Sequence, residues 1–334
     1  MTDADLVLTR PIANQKKMAK EKLHILFMCL ILTAMSHASA ASGDTIVFTP
    51  QWTAQAQFAG YYVAQAKGFY REAGVKVRIV HPSVAQPAMD RLMAGECQST
   101  TLTLCQAMQI VDTQTPLVNI LQTSMNNAMV IVSARQKNPL TQKGARVGLW
   151  SVDFGQLALC MNIRDRLGYR WVRFAQNTNL FLSGALDAMV TMSYNEYYQL
   201  VQAGFDISDK NTYRFCNHEY NVQEDGLYML KSYYDTHREQ AKRFALASRK
   251  GWQWVAEHPE EALDIVMQYV GKDHVATNRT MQRLMLNEIL RLQVDKESGK
   301  REFRLRGDMV EKASRLMFEN HLLSRQVRYD ELVD

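Results

Sequence analysis

The strongest constraint on this chain is a regular alternation of short β-rich runs with helical patterns. The run TIVFT (45–49) is followed by a helical pattern over 58–67 that stops near Gly68. VKVRIV (75–80) alternates in polarity and precedes a helix over 87–94, with Pro87 in its first turn. A Thr-rich apolar run (100–104), a helix to about Asp112 and strands at 117–122 and 128–133 extend the series. Alternation of this kind calls for an open α/β sheet, because parallel neighbours are joined by helical crossovers.

The polar stretch 137–144, with Pro139 and Gly144, crosses into a second series. Strands are expected at 146–150, 171–175 and 188–192, with helices over 156–167, near Leu180, and from Tyr194-Asn195-Glu196 to Ala203. Residues 213–215 close this second lobe, and 227–230 return to the first. Beyond them the chain reads as helical. Phe244, Ala247, Ser248, Gly251, Trp254 and Val255 share one face of a helix over 238–258. Pro259 opens another helix, with Glu260 and Glu261 at its positive end. Two α/β lobes joined by at least two crossings make a clamshell that closes over a ligand.

Residues 1–40 stand apart. Lys16, Lys17, Lys20 and Lys22 precede an apolar run (23–35), and Ala38 and Ala40 form an A-x-A end. This is the pattern of a cleaved secretory signal peptide. As a helix the apolar run spans only about 20 Å, short of a roughly 30 Å hydrocarbon core. The exported protein is expected in the periplasm, and not embedded in the membrane after cleavage.

Composition narrows the function classes. Of 334 residues, 47% are hydrophobic and 22% charged, which excludes a disordered chain. The net charge of +5 is spread thinly, so no nucleic-acid face is expected. Cys97, Cys105, Cys160 and Cys216 form no CxxC and have no His-rich neighbourhood. They read as small buried residues, and no metal or cofactor is expected.

In open α/β sheets ligands sit beyond the strand C-termini, against helix N-termini. Four segments meet that condition. In the segment 50–62, Trp52 and Phe58 offer flat apolar faces, Gln57 an amide and Tyr61 a hydroxyl, although aromatic residues there also suit a core. In the segment 95–103, Thr101 and Thr103 either cap the next helix or face a ligand. Gln122 opens a polar loop (122–127) that turn chemistry explains nearly as well. In the second lobe, Trp150, Asp153 and Phe154 lie on a strand-to-helix turn whose free amides suit an anionic or carbonyl group. That turn is not a GxxxxGK[ST] loop, so a nucleoside triphosphate is not expected. Across the lobe, Tyr194, Asn195 and Glu196 repeat the arrangement. A glutamate there complements a helix dipole, but the apolar strand before it and the aromatic beside it favour a cleft carboxylate, open to water when empty.

The run QFAGYYVAQAKGFYREAGVKVRI (57–79) resembles the opening of thiamine-pyrimidine-precursor binding proteins of ABC transporters. RLMAGECQ (91–98), LSGALDAMVTMSYNE (182–196), QEDGLY (223–228) and RFALASRKGWQWVAEHPEEALDIV (243–266) resemble the same family, in order. The resemblance implies a type 2 periplasmic binding fold, with one lobe from 44–134 plus 226–334 and the other from 135–225. It also implies a small-molecule ligand and an ABC permease as partner. Relatives bind aminopyrimidines, riboflavin or sulfonates, and Tyr194-Asn195-Glu196 resembles the vitamin-precursor branch. Gln98 stands where many relatives have Asp. Fungal relatives use the fold as a pyrimidine synthase with a Cys-rich motif, which this chain lacks; His81-Pro82-Ser83 reads as a post-strand turn.

The leading expectation is therefore a periplasmic binding protein for a small planar heterocycle. The alternatives are a sulfonate-binding protein and a ligand-sensing input to a membrane signalling kinase. No nucleophile, base and orienting group can be assembled, so no enzyme is expected.

Overall fold

The computed structural model describes residues 45–83, 85–151, 154–174 and 177–334; the expected signal peptide and Asp153 lie outside the described residues. Among the described residues the β-rich runs form ten strands: β1 (Ile46–Thr49), β2 (Val77–Ile79), β3 (Ser99–Thr103), β4 (Leu117–Gln122), β5 (Met129–Ser133), β6 (Arg146–Leu149), β7 (Arg170–Arg173), β8 (Ala188–Met192), β9 (Thr212–Arg214) and β10 (Asp225–Leu230). They build two five-stranded sheets, ordered β2-β1-β3-β10-β4 and β7-β6-β8-β5-β9.

The two sheets follow one plan. In the first, β1 lies parallel to β2 and β3, and β10 runs antiparallel between β3 and β4. In the second, β6 lies parallel to β7 and β8, and β5 runs antiparallel between β8 and β9. Each sheet thus takes its antiparallel strand at a crossing of the chain. This moves the expected division after residue 134. β5 pairs with Ala188–Met192, so the first crossing falls between Gln122 and Met129. All five residues of β5 (MVIVS) are buried, so its sequence has no polar face to reveal which sheet it joins.

The antiparallel strands matter to the site. β1 and β3 point their carboxyl ends at one edge of the first sheet, whereas β10 presents its start there: Asp225 pairs with Thr103. In the second sheet Met129, the start of β5, pairs with Met192, the end of β8.

The helix Ala59–Ala66 follows the loop after β1 and packs on the helix Arg238–Glu257. Phe244, Ala247, Ser248, Gly251 and Val255 are buried there, as their spacing requires. Trp254 is not: Trp252 is the tryptophan that turns inward, in step with Phe244 and Ser248 at four-residue intervals. Trp254 is half-buried, stacks on His258 and carries the Lys67 ammonium over its ring at 4.2 Å. Among the described residues no helix is long and apolar enough to cross a membrane.

Candidate functional site

The loop after β1 is pinned from three sides. The Gln51 backbone N–H donates to Thr101 Oγ1 at 3.0 Å, and Gln51 Nε2 donates to Asp225 Oδ1 at 3.0 Å. The Trp52 carbonyl lies 2.8 Å from His81 Nδ1. A carbonyl only accepts, so Nδ1 carries the proton, and Nε2 accepts from the Tyr62 hydroxyl at 2.8 Å. Burial lowers the His81 pKa, in keeping with this neutral tautomer. The histidine expected as a plain turn residue thus fastens the Trp52 backbone to the helix behind it.

The Trp52 ring is half-buried and stands edge-on to Phe154, with ring centroids 5.7 Å apart. These two residues come from opposite halves of the chain and meet across a slot. The first half contributes Gln51, Trp52 and Gln57; the second contributes Trp150, Phe154, Met192, Tyr194, Asn195 and Glu196. The slot holds about 380 Å³ of empty space, counting the part open to solvent. Among the described residues that line it, none is Lys, Arg or His.

Glu196 is the polar centre of this slot. It begins the helix Glu196–Gln202, directly after β8, and is only 2% exposed. Its Oε1 accepts from Trp150 Nε1 at 3.0 Å and from Asn195 Nδ2 at 3.0 Å. Its Oε2 accepts from the Met192 backbone N–H at 3.1 Å. A carboxylate offers about four acceptor positions, so one on Oε2 is left for a ligand. Burial pushes the carboxyl up to about 7, opposed by the Met192 and Trp150 hydrogen bonds. The expectation of a carboxylate open to water is therefore corrected: β8 and the Trp150 indole close over it.

Seven of the sequence-derived candidates line the slot: Trp52, Gln57, Trp150, Phe154, Tyr194, Asn195 and Glu196. Phe58 and Tyr61 lie in the core instead, each 1% exposed. Phe58 packs on His81, and Tyr61 on Phe48 and Trp252. Both side chains turn into the core from the inward faces of their helical turns, which periodicity alone did not separate from the loop before them. Thr101 holds the Gln51 backbone. Gln122 braces its own turn, donating to the Ser124 and Asp225 carbonyls at 3.0 Å each.

Thr103 resolves to the capping alternative. Its hydroxyl accepts from the Gln106 backbone N–H, and the Gln106 side chain accepts from the Thr103 N–H. This reciprocal box starts the helix Leu104–Asp112. Thr103→Ala should lower stability by about 1 kcal/mol in chemical denaturation and leave ligand affinity unchanged.

Gln51, Met192 and the pair Glu224–Asp225 were not anticipated. A signal for the pair does exist: two consecutive acids immediately precede an apolar strand that returns to the first lobe. Only the antiparallel sense of β10 turns that start toward the ligand edge.

Residues 55–262 match the family model described as NMT1/THI5 like. The chain belongs to the NMT1/THI5-like family. Within the range of similar proteins is the formylaminopyrimidine-binding protein of Halalkalibacterium halodurans, 24% identical over 263 residues, covering 74% of this chain and 78% of the relative. Among solved structures, the alkanesulfonate-binding protein of Xanthomonas axonopodis pv. citri bound to MOPS superimposes with a TM-score of 0.65 at 11% identity, over 88% of this chain and 99% of the other. The periplasmic aliphatic sulphonate binding protein of Escherichia coli gives 0.63 at 11% identity, over 87% and 98%. These likenesses fix the fold of this NMT1/THI5-like chain as the two-lobed periplasmic binding protein fold.

Proposed function

We propose that this protein captures a small planar amino-heterocycle, of the aminopyrimidine class, in the periplasm and hands it to an ABC permease. The observation that carries this reading is the Glu196 carboxyl. It is buried, held by three donors with one acceptor position to spare, and set in an aromatic slot that, among the described residues, no Lys, Arg or His lines. A ring bearing N–H donors satisfies that position while Trp52, Phe154 and Trp150 cover its faces. A sulfonate brings negative charge to a site that lacks cations and already holds an acid, which is unfavourable. The name of the Halalkalibacterium halodurans relative supports the same ligand class.

Calorimetry with an aminopyrimidine and an alkanesulfonate tests the reading on the wild type and on Glu196→Gln. The wild type is expected to bind the pyrimidine. The variant should bind it roughly tenfold to a hundredfold more weakly, because hydrogen bonds to charged groups contribute about 1.5–3 kcal/mol. Sulfonate binding that tightens in the variant, with no pyrimidine binding by either form, would overturn it.

A further inference from the structure

The residues on either side of Tyr194-Asn195-Glu196 line a cavity of their own, which shares no lining residue with the slot. It holds about 480 Å³ of empty space, counting the part open to solvent. One wall is Ser193, directly after β8, with Tyr197 and Tyr198 of the helix Glu196–Gln202 and Arg214 at the end of β9. The other is Glu288 and Arg291 of the helix Arg279–Leu292, which packs against Glu196–Gln202.

The charges in this cavity do not cancel. Arg291 grips the buried Glu288 carboxyl with both arms of its fork, Nη2 to Oε1 at 2.6 Å and Nε to Oε2 at 2.7 Å. Burial pulls the Glu288 carboxyl upward, but Arg291 outweighs it and holds the group below the usual carboxylate range, so the pair is ionised and neutral overall. Arg214 has no such partner. Its guanidinium lies over the Tyr197 ring at 4.5 Å, and among the described residues it makes no hydrogen bond or ion pair. Its five N–H donors are thus unspent in a half-buried place. The Ser193 hydroxyl is buried and steadies the Glu288 charge, yet makes no hydrogen bond of good geometry. Lys296 adds to the positive field at the margin, donating to the Cys216 carbonyl and to Asn217 Oδ1.

We propose that this cavity is a second ligand site, which binds a small planar monocarboxylate through the Arg214 guanidinium. A guanidinium fork matches the two oxygens of a carboxylate, and this one is already held flat on Tyr197, so little side-chain freedom is lost on binding. Ser193 offers a hydroxyl beside it. The Tyr197 and Tyr198 rings, edge to face with centroids 5.6 Å apart, give the body of the ligand apolar surface. Two guanidiniums against one carboxylate leave a single positive charge in the lining, which suits a monoanion; Glu288 opposes a dianion such as phosphate. The site does not depend on what the slot binds.

Calorimetric titration with benzoate and with inorganic phosphate, at neutral pH, tests the site. The wild type is expected to bind benzoate at one site and more tightly than phosphate. Arg214→Gln should weaken benzoate roughly tenfold to a hundredfold, as befits a charge-assisted contact, while Ser193→Ala should weaken it by a few-fold. Glu196→Gln should leave benzoate binding unchanged, whereas benzoate seated in the slot would gain from the loss of that acid. If Arg214→Gln does not fold, Arg214→Lys decides: it keeps the charge but not the planar fork, and should still bind benzoate several-fold more weakly than the wild type. No binding of benzoate, equal binding by the wild type and the Arg214 variant, or phosphate bound more tightly than benzoate would overturn the proposal and leave the reading of the slot standing. Benzoate that binds more tightly to Glu196→Gln would overturn it too, by placing the anion in the slot.

Discussion

Gly251→Ala should be among the most damaging single changes in this protein, lowering stability by about 3 kcal/mol or more, at or beyond the upper end for overpacked cores. A Cβ at Gly251 would fall closer than 3.0 Å to the backbone carbonyl oxygen of Gly60, and it would also press on Ala64. Backbone cannot rotate out of the way, so the helices Ala59–Ala66 and Arg238–Glu257 would have to separate. Gly60 is equally confined, because the buried Trp252 ring covers the place where its Cβ would stand. The effect should reach the ligand site: the first helix follows the Trp52 loop, and Trp252 lines a small space behind Gln57 and Tyr194. Gly271→Ala provides the contrast. Gly271 is exposed in the helix Pro259–Lys272, and its added Cβ would meet nothing within 4 Å. Removing a helical glycine there should stabilise by about 1 kcal/mol. Urea unfolding of both variants, with midpoints moving in opposite directions at unchanged slope, would bear this out. A Gly251→Ala midpoint close to that of the wild type would mean that the two helices are not locked by this contact.

The sheets were the most legible part of the sequence. The expected strands 117–122 and 188–192 coincide with β4 and β8, because both are bounded by turn residues and carry mostly apolar side chains. The sense of a strand was harder to read. Nothing in MVIVS or DGLYML says that these strands run against their neighbours, since register and direction are settled by pairing and not by local pattern. That gap hid Glu224 and Asp225, whose place in the site follows from the direction of β10. The helices Arg279–Leu292 and Gly307–Glu319 were covered only by a general expectation of helix. The first of them closes the site: Gln282 accepts from the Ala56 backbone N–H at 2.7 Å, Ile289 lines the small space behind Gln57, and Gln293 follows directly after it. Contacts across more than two hundred residues of sequence leave no mark on local composition. The aromatic and acidic residues at strand ends were legible because strand-to-helix junctions gather ligand groups. Their burial was not, as the Glu196 carboxyl demonstrates.

Glu196 should make the empty protein less stable as pH rises, and Glu196→Gln should abolish that contribution. In the unfolded chain this carboxyl titrates near 4.5; in the folded protein burial lifts it to about 7. The folded state therefore holds the proton more tightly than the unfolded state. Below pH 4.5 both states are protonated, and the contribution to stability is fully present. Between 4.5 and 7 the unfolded chain releases its proton while the folded protein keeps it, so stability falls. Above 7 both are ionised and the loss levels off. A shift of that size corresponds to about 3 kcal/mol. The glutamine variant carries a fixed penalty of its own, because an amide nitrogen placed at Oε2 would face the Met192 N–H donor. That penalty does not depend on pH, so the slope distinguishes the two effects where a single melting temperature would not. Thermal melts of both proteins from about pH 4 to pH 8 should show the variant gaining on the wild type up to neutrality and then running parallel to it. A difference that stays constant across the range would mean that Glu196 is solvated in the empty protein. The slot would then be an open cleft, and the desolvated carboxyl that gives it a preference for N–H donors over sulfonates would be absent.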